Sequence, residues 1–387
     1  MTPSDGQTGA SRPGRLPGVD ALRCSMIVVV VALHAAMSYM AFAPEWWYIV
    51  DARRNIVFTA LVILLDTFPM TVLFLLAGYF APSSLGRSGV GGFMRAKLFR
   101  LGLPWLLGMV LVVPFLARAS MLRYGLPDKP LFAFVREDFF GIWYQQGHFW
   151  FLCVLLAFMA LYAALSRPLS AALRPLVRPN PPSWLPAAAI AATALAFFLS
   201  SRHIVPPDDW IRLCWTLYFQ PARITGYVLA FLFGILARTS GWFADGSWRP
   251  SPARWGIAAA VTGTARLAWK LFGGGLTAGI FVDVLEAVLY AAATWSITLF
   301  LLGAFLRFGP TLDSRLRRLS PYSFGIYWWH QCILPPVTYL LLPFSVPAVV
   351  KFAVACAVTL VAGRFLAQAV DAATQKTFFA RRRKGTP

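Results

Sequence analysis

The chain is short of charge, and of negative charge above all. Only 13% of its 387 residues are Asp, Glu, Lys or Arg, and 15 acids stand against 35 bases. A soluble globular domain carries about 25% charged residues, so a water-exposed surface of ordinary extent is excluded. Histidine is scarcer still: four residues, none in HExxH or similar ligand spacing, so no metal site is expected. The cysteines (Cys24, Cys153, Cys214, Cys332, Cys356) form no CxxC pair and fall mostly in apolar runs. They read as packing residues rather than a disulfide framework. No basic helix interleaved with aromatics stands out, so the net charge of +20 does not point to nucleic acid.

What fills the chain is apolar. Hydrophobic residues make up 58%, and the mean hydropathy is +0.64. They come in repeated runs of bilayer-spanning length, about 20 residues each. Hydropathy and length predict an all-α polytopic membrane protein with about ten transmembrane helices. The expected spans lie near 20–42, 55–80, 98–117, 148–166, 185–201, 222–238, 255–273, 282–306, 321–342 and 347–370. Residues 1–18, rich in Ser, Gly, Thr and Pro, read as disordered. Residues 19–372 form the transmembrane domain, and 373–387 form a basic tail too short to fold. The first apolar run exceeds a signal-peptide core and no clear cleavage site follows it, so it reads as an uncleaved span.

An even number of spans puts both termini on one side. With the N-terminus inside, basic clusters fall on inner loops: Arg87, Arg95, Lys97 and Arg100; Arg315, Arg317 and Arg318; and the tail from Arg381 to Lys384. Most loop acids, among them Asp51, Asp128, Glu137, Asp138, Asp208 and Asp209, fall outside. The positive-inside rule then predicts a multi-pass protein of the inner (plasma) membrane with both termini in the cytoplasm.

Two ionisable groups interrupt the first run, GVDALRCSMIVVVVALHAAMSYM (Gly18 to Met40): Arg23 near its start and His34 about halfway. Eleven positions at 100° per residue return His34 to within about 20° of Arg23, roughly 16 Å along the axis. One helix face therefore carries a cation at the membrane surface and an imidazole at depth. Ionisable groups at that depth are costly and mark function by default; the structural alternative is a snorkelling arginine and a histidine bonded to a neighbouring helix. His330 lies about ten residues into the ninth expected span, roughly 15 Å deep and close to the level of His34. Asp66 sits near the middle of the second, and the three can meet if the helices surround a shared cavity. His148 falls near the outer interface, where packing is at least as good a reading as function. Arg266 and Arg364 lie within spans, where pairing with Glu286 or Asp283 is expected.

The Arg23, ten residues, His34 arrangement is similar to that of the acyltransferase type 3 family of integral membrane proteins. Further segments carry the resemblance: FPMTVLFLLAGYF (Phe68 to Phe80), with Ala77 where the family has serine; RAKLFRLGLPWLLG (Arg95 to Gly108), with Lys97 and Arg100 at matching places; HFWFLCVLLAF (His148 to Phe158); and SPYSFGIYWWHQ (Ser320 to Gln331). Within the family the chain resembles the branch that decorates periplasmic glucans and related envelope saccharides. The resemblance implies an O-acyltransferase taking acetyl, succinyl or a similar group from acyl-CoA to a saccharide or lipid-linked acceptor. It implies His34 as catalytic base, Arg23 as donor-binding residue, Lys97 and Arg100 assisting, and His330 as a further pocket residue. The chemistry agrees: such transfer needs a base and a stabilised oxyanion, and a coenzyme A polyanion needs guanidinium-type partners. The interval between Arg23 and His34 is about the reach of a pantetheine arm. The rival reading, a membrane exporter of saccharide or lipid, predicts paired repeats with Gly/Pro-broken helices in both halves, and no such symmetry is visible.

Topology is directly testable. Reporter fusions at Gly89, Asp138 and Thr386 are expected to read inside, outside and inside; an external signal from Thr386 overturns the arrangement.

Overall fold

The computed structural model describes residues 16, 18–244, 247–273 and 279–384. Of the segment expected to be disordered, 1–18, only Leu16 and Gly18 lie among them. In chain order the helices are α1 (Val19–Met37), α2 (Ile56–Leu65) and α3 (Pro69–Lys97), which passes through a π-helical turn (Leu98–Gly102) into α4 (Leu103–Leu111). There follow α5 (Val113–Arg123), α6 (Leu131–Phe134), α7 (Trp150–Leu173), α8 (Leu185–His203), α9 (Pro221–Thr239), α10 (Pro252–Phe272), α11 (Ile280–Leu316), α12 (Ser323–Leu341) and α13 (Ala348–Lys384). The described part of the expected tail therefore continues the last helix. One antiparallel hairpin, β1 (Ile211–Leu213) with β2 (Leu217–Phe219), lies between α8 and α9. Proline stands in the first turn of α3, α4, α5, α8, α9 and α10, where its missing N–H breaks no helical bond. Asn55 caps α2 by accepting from the Val57 N–H at 2.9 Å.

This is an all-α polytopic membrane protein. Among the described residues, however, seven helices are long and apolar enough to cross a membrane, where ten were expected. Residues Ile56–Leu111 run as one apolar helical stretch of 56 residues, which absorbs the expected spans 55–80 and most of 98–117. Helix α10 falls short because Arg254, Arg266 and Lys270 dilute its 21 residues. Helix α12 does so because His330, Gln331, Pro335 and Pro336 interrupt its 19.

The 56-residue stretch is folded back on itself. Gly89 breaks the helix with φ 62° and ψ 177°, a backbone region that glycine tolerates. Before the break Phe74 packs on Phe151 and Phe158 of α7; after it Phe93 meets Tyr162, Gly102 lies against Leu156 and Gly108 against Phe149. The chain thus runs along α7 and returns along it.

Helix α1 is central, touching α2, α3, α11, α12 and α13. Its N-terminus is capped from far along the chain: the Gly18 and Ala21 N–H groups donate to the Asp313 carboxylate of α11 at 2.9 and 3.2 Å. Helix α13 turns a helically spaced row of exposed apolar side chains, Val354, Val358, Val361 and Phe365, away from the bundle, as a lipid-facing surface requires. Helices α3 and α9 pack closely. A Cβ on Gly78 would stand 2.0 Å from the Phe231 carbonyl oxygen, and one on Gly234 would stand 2.1 Å from that of Leu75. Small residues that let backbones approach are the usual device for packing helices in lipid.

Gly234→Val is accordingly expected to destabilise the protein by about 1–3 kcal/mol or more through overpacking. Gly91→Ala, where nothing lies within 4 Å of an added Cβ, should leave stability unchanged. Thermal unfolding in detergent compares the two, and equal melting temperatures would refute the close packing.

Candidate functional site

Helices α1 and α12 and the turn before α7 bring three of the four histidines together. The His34 and His330 ring centroids are 5.0 Å apart, and those of His148 and His330 are 4.4 Å apart. Hydrogen bonds assign the tautomers. His34 Nδ1 lies 2.9 Å from the Val30 carbonyl and 3.2 Å from His330 Nε2, while His330 Nδ1 lies 2.5 Å from the Tyr327 carbonyl. A carbonyl only accepts, so both Nδ1 atoms carry hydrogen. His330 Nε2 is then a lone pair that accepts from the His34 Nδ1–H, and Nε2 of His34 is an unprotonated nitrogen. His148 donates from Nε2 to the Trp328 carbonyl at 3.2 Å, and its buried Nδ1 has no partner among the described residues. The Tyr327 hydroxyl donates to the His148 carbonyl at 2.5 Å.

Trp47 stacks on His34, with centroids 5.7 Å apart and planes 10° from parallel. It is carried by the strap 38–55 between α1 and α2. The Trp47 indole N–H donates to Ser38 Oγ at 3.0 Å, and Arg123 donates to the Trp47 carbonyl at 2.5 Å. A buried ion pair at 2.5 Å, Lys351 to Asp51, ties the end of the strap to α13.

Two chambers abut this layer. One, of about 1110 Å³, is lined by Arg23, Lys97, Arg100 and Arg317 with Asp20 and Asp313, and it reaches Phe151 and Tyr327. Four cations face two carboxylates, and Asp313 is already occupied at the start of α1. Arg23 holds Asp20 at 3.0 Å, one helical turn away, and the Lys97 ammonium lies 5.0 Å from the Phe93 ring centre. The other chamber, of about 380 Å³, is lined by His34, His148 and Gln331 together with Trp47, Trp143, Trp150 and Tyr218. It is aromatic and has no Lys or Arg among its described lining residues. Adjacent residues of one turn divide the two: Trp150 faces the aromatic chamber and Phe151 the cationic one.

The expected residues fall into two groups. His34 and His330 meet, and Arg23, Lys97 and Arg100 share the cationic chamber, which Ala77 also lines with a methyl in place of a hydroxyl. Asp66 goes elsewhere, bonded at 2.5 Å by Arg223, which also holds Asp208 at 2.8 Å. Arg266 does not pair with Glu286 or Asp283. It donates to Thr67 Oγ1 at 3.2 Å and lies 4.9 Å from the Tyr290 ring centre, while Lys270 takes Glu286 and Arg202 takes Asp283. His148, Trp47, Tyr327 and Gln331 were not foreseen as site residues. For His148 a signal existed, a histidine opening the HFWFL run, but interface placement concealed that its side chain turns inward.

A family model for an acyltransferase domain matches residues 16–366, nearly the whole chain. The chain belongs to the acyltransferase 3 family. It is a membrane acyltransferase, and the matched region contains every histidine and chamber residue named above. No curated protein and no solved structure matches this acyltransferase 3 member. His34 lines the aromatic chamber, and the cationic chamber lies on the other side of the adjacent residues Trp150 and Phe151.

Proposed function

We propose that this protein is an O-acyltransferase that takes an acyl group from acyl-CoA and places it on a hydroxyl of a cell-envelope saccharide or lipid-linked acceptor. The observation that carries the reading is the unprotonated Nε2 of His34, on a ring that lines the aromatic chamber, with the cationic chamber beyond the adjacent residues Trp150 and Phe151. The cationic chamber suits the phosphates of coenzyme A, with guanidinium groups able to bind them in bidentate fashion. Arg317 joins Arg23, Lys97 and Arg100 in that role. The aromatic chamber suits an acceptor with apolar ring faces and hydroxyl edges, since flat aromatic walls with few polar groups are how pockets orient such ligands. Gln331, beside His34 in that chamber, carries neutral amide donors suited to the oxyanion. With both termini cytoplasmic, in the inner membrane, the cationic chamber faces the acyl-CoA pool and the aromatic chamber faces the envelope.

Mass spectrometry of envelope glycans from a deletion strain and its complemented parent reads the acyl group and acceptor together. A mass difference supports the reading; identical glycan and lipid-linked saccharide profiles overturn it.

His34→Gln keeps size and hydrogen bonding but cannot take a proton near neutral pH. It is expected to lower transfer about 10²–10⁴-fold while the protein stays folded and still binds acyl-CoA. Near-normal product per folded protein in this variant would remove His34 as base.

Arg23→Ala is expected to weaken acyl-CoA binding by about 1.5–3 kcal/mol, the loss of a charge-assisted contact. Arg23→Lys should restore only part, because a point charge replaces a fork. Equal affinities for wild type and Arg23→Ala in nanodiscs would exclude this role.

A further inference from the structure

A histidine base becomes positively charged during the reaction, and the familiar solution is a carboxylate behind it. Here the carboxylates on the neighbouring elements are engaged elsewhere: Asp66 by Arg223 and Asp51 by Lys351. What stands against His34 is a second imidazole and an indole. We propose that His330 and Trp47 are positioning residues that together replace the carboxylate, the Nε2 lone pair of His330 taking the Nδ1–H of His34 and the face of Trp47 holding the imidazolium. The proposal rests on the acyl-transfer reading above.

Each partner is itself held in place. His330 is fully buried, and its Nδ1–H is committed to the Tyr327 carbonyl, so it presents a lone pair to His34 and not a second N–H. Trp47 is 2% exposed and is fixed by Ser38 at its indole nitrogen and by Arg123 at its carbonyl. Its ring centre lies within the roughly 6 Å at which an indole face attracts a cation. Both interactions strengthen when His34 becomes charged. A hydrogen bond from a cationic donor is about twice as strong as a neutral one, and a neutral imidazole has no charge for the indole face to attract. The stabilisation is therefore concentrated in the transition state, where it accelerates the chemical step. Neither partner carries a permanent charge, so the penalty for burying an ion at this depth is avoided in the resting protein.

In the step itself the acceptor O–H bond breaks and its proton goes to Nε2 of His34. The oxygen pair forms the new C–O bond at the acyl carbon, and the C–S bond breaks with its pair on sulfur. The proton then passes from His34 to the thiolate, giving the coenzyme A thiol. His34 is cationic only between the two proton transfers, and His330 and Trp47 act in that interval.

The test compares His330→Gln with His330→Leu, and Trp47→Phe with Trp47→Leu, in full-length protein in nanodiscs supplied with acyl-CoA and acceptor. Glutamine retains an acceptor oxygen and phenylalanine a ring face. We expect His330→Leu to lower kcat about 10²-fold and Trp47→Leu about tenfold, with most of each loss restored by the conservative variant. KM for acyl-CoA and the melting temperature should stay at wild-type values, because the phosphates are held in the other chamber. Wild-type kcat in either leucine variant overturns the role of that residue, as does an equal loss in both variants of a pair accompanied by a lowered melting temperature. Where a leucine variant fails to fold, His330→Met or Trp47→Ile is read in the same way. Transfer by wild type with no kcat effect in the variants sinks this inference alone; no transfer by wild type from any acyl-CoA sinks the acyltransfer reading and this inference with it.

Discussion

The hydrogen on Nδ1 of His34 points at the Val30 carbonyl one turn back on its own helix and at Nε2 of His330 across the helix interface. That placement leaves Nε2 of the same ring unprotonated. It requires α1 and α12 to bring two imidazoles to one level, which the capping of α1 by Asp313 and the burial of α12 against α1 and α13 provide. It also requires His330 to keep its own hydrogen on the far nitrogen, which the Tyr327 carbonyl ensures. Tyr327 then links this chain to the third histidine through its hydroxyl. One residue of α12 thus holds both of the other histidines in the cluster.

The remaining charges obey the same economy of the membrane interior. Arg223 is shared by Asp66 and Asp208, Lys270 takes Glu286, and Lys351 takes Asp51. Opposite charges brought together in this way avoid the cost of a lone buried ion, although they add little net stability over apolar packing. Their effect is geometric. The Lys351–Asp51 pair fixes a strap whose tryptophan stacks on His34, while the Arg223 group ties the head of α9 to the end of α2. In the large chamber, by contrast, four cations stand with only two carboxylates, Asp20 and Asp313.

Much of this was legible in the residues, for identifiable reasons. Arg23 and His34 share a face because they sit on one unbroken helix, so spacing alone sets their relation. The common depth of His34 and His330 follows from counting residues from the same membrane surface. Pairing across helices is another matter. Asp66 had the right depth and the wrong direction, since its partner Arg223 belongs to a helix whose rotation no periodicity discloses. Arg266 met a threonine and a ring where carboxylates were expected, because nearer cations had taken those acids. His148 lies in a turn that hydropathy assigns to the interface, yet a 3₁₀ turn swings its ring under Trp328. The helix count differed because Ile56–Leu111 runs as one helical stretch that takes in two expected spans, and because polar residues and prolines make α10 and α12 less apolar than a spanning helix.

The contacts that complete the site join the two ends of the chain. Gly18 meets Asp313 at a separation of 295 residues, His34 meets His330 at 296, and Asp51 meets Lys351 at 300. At translation rates of about 5–20 residues per second, the first helix waits roughly 15–60 seconds for these partners to be synthesised. During that time His34 has neither its second imidazole nor a pinned strap. A chain ending before α12 would have Arg23 and His34 but not His330. The His34–His330 contact and the pinned strap therefore form only after most of the chain has been made.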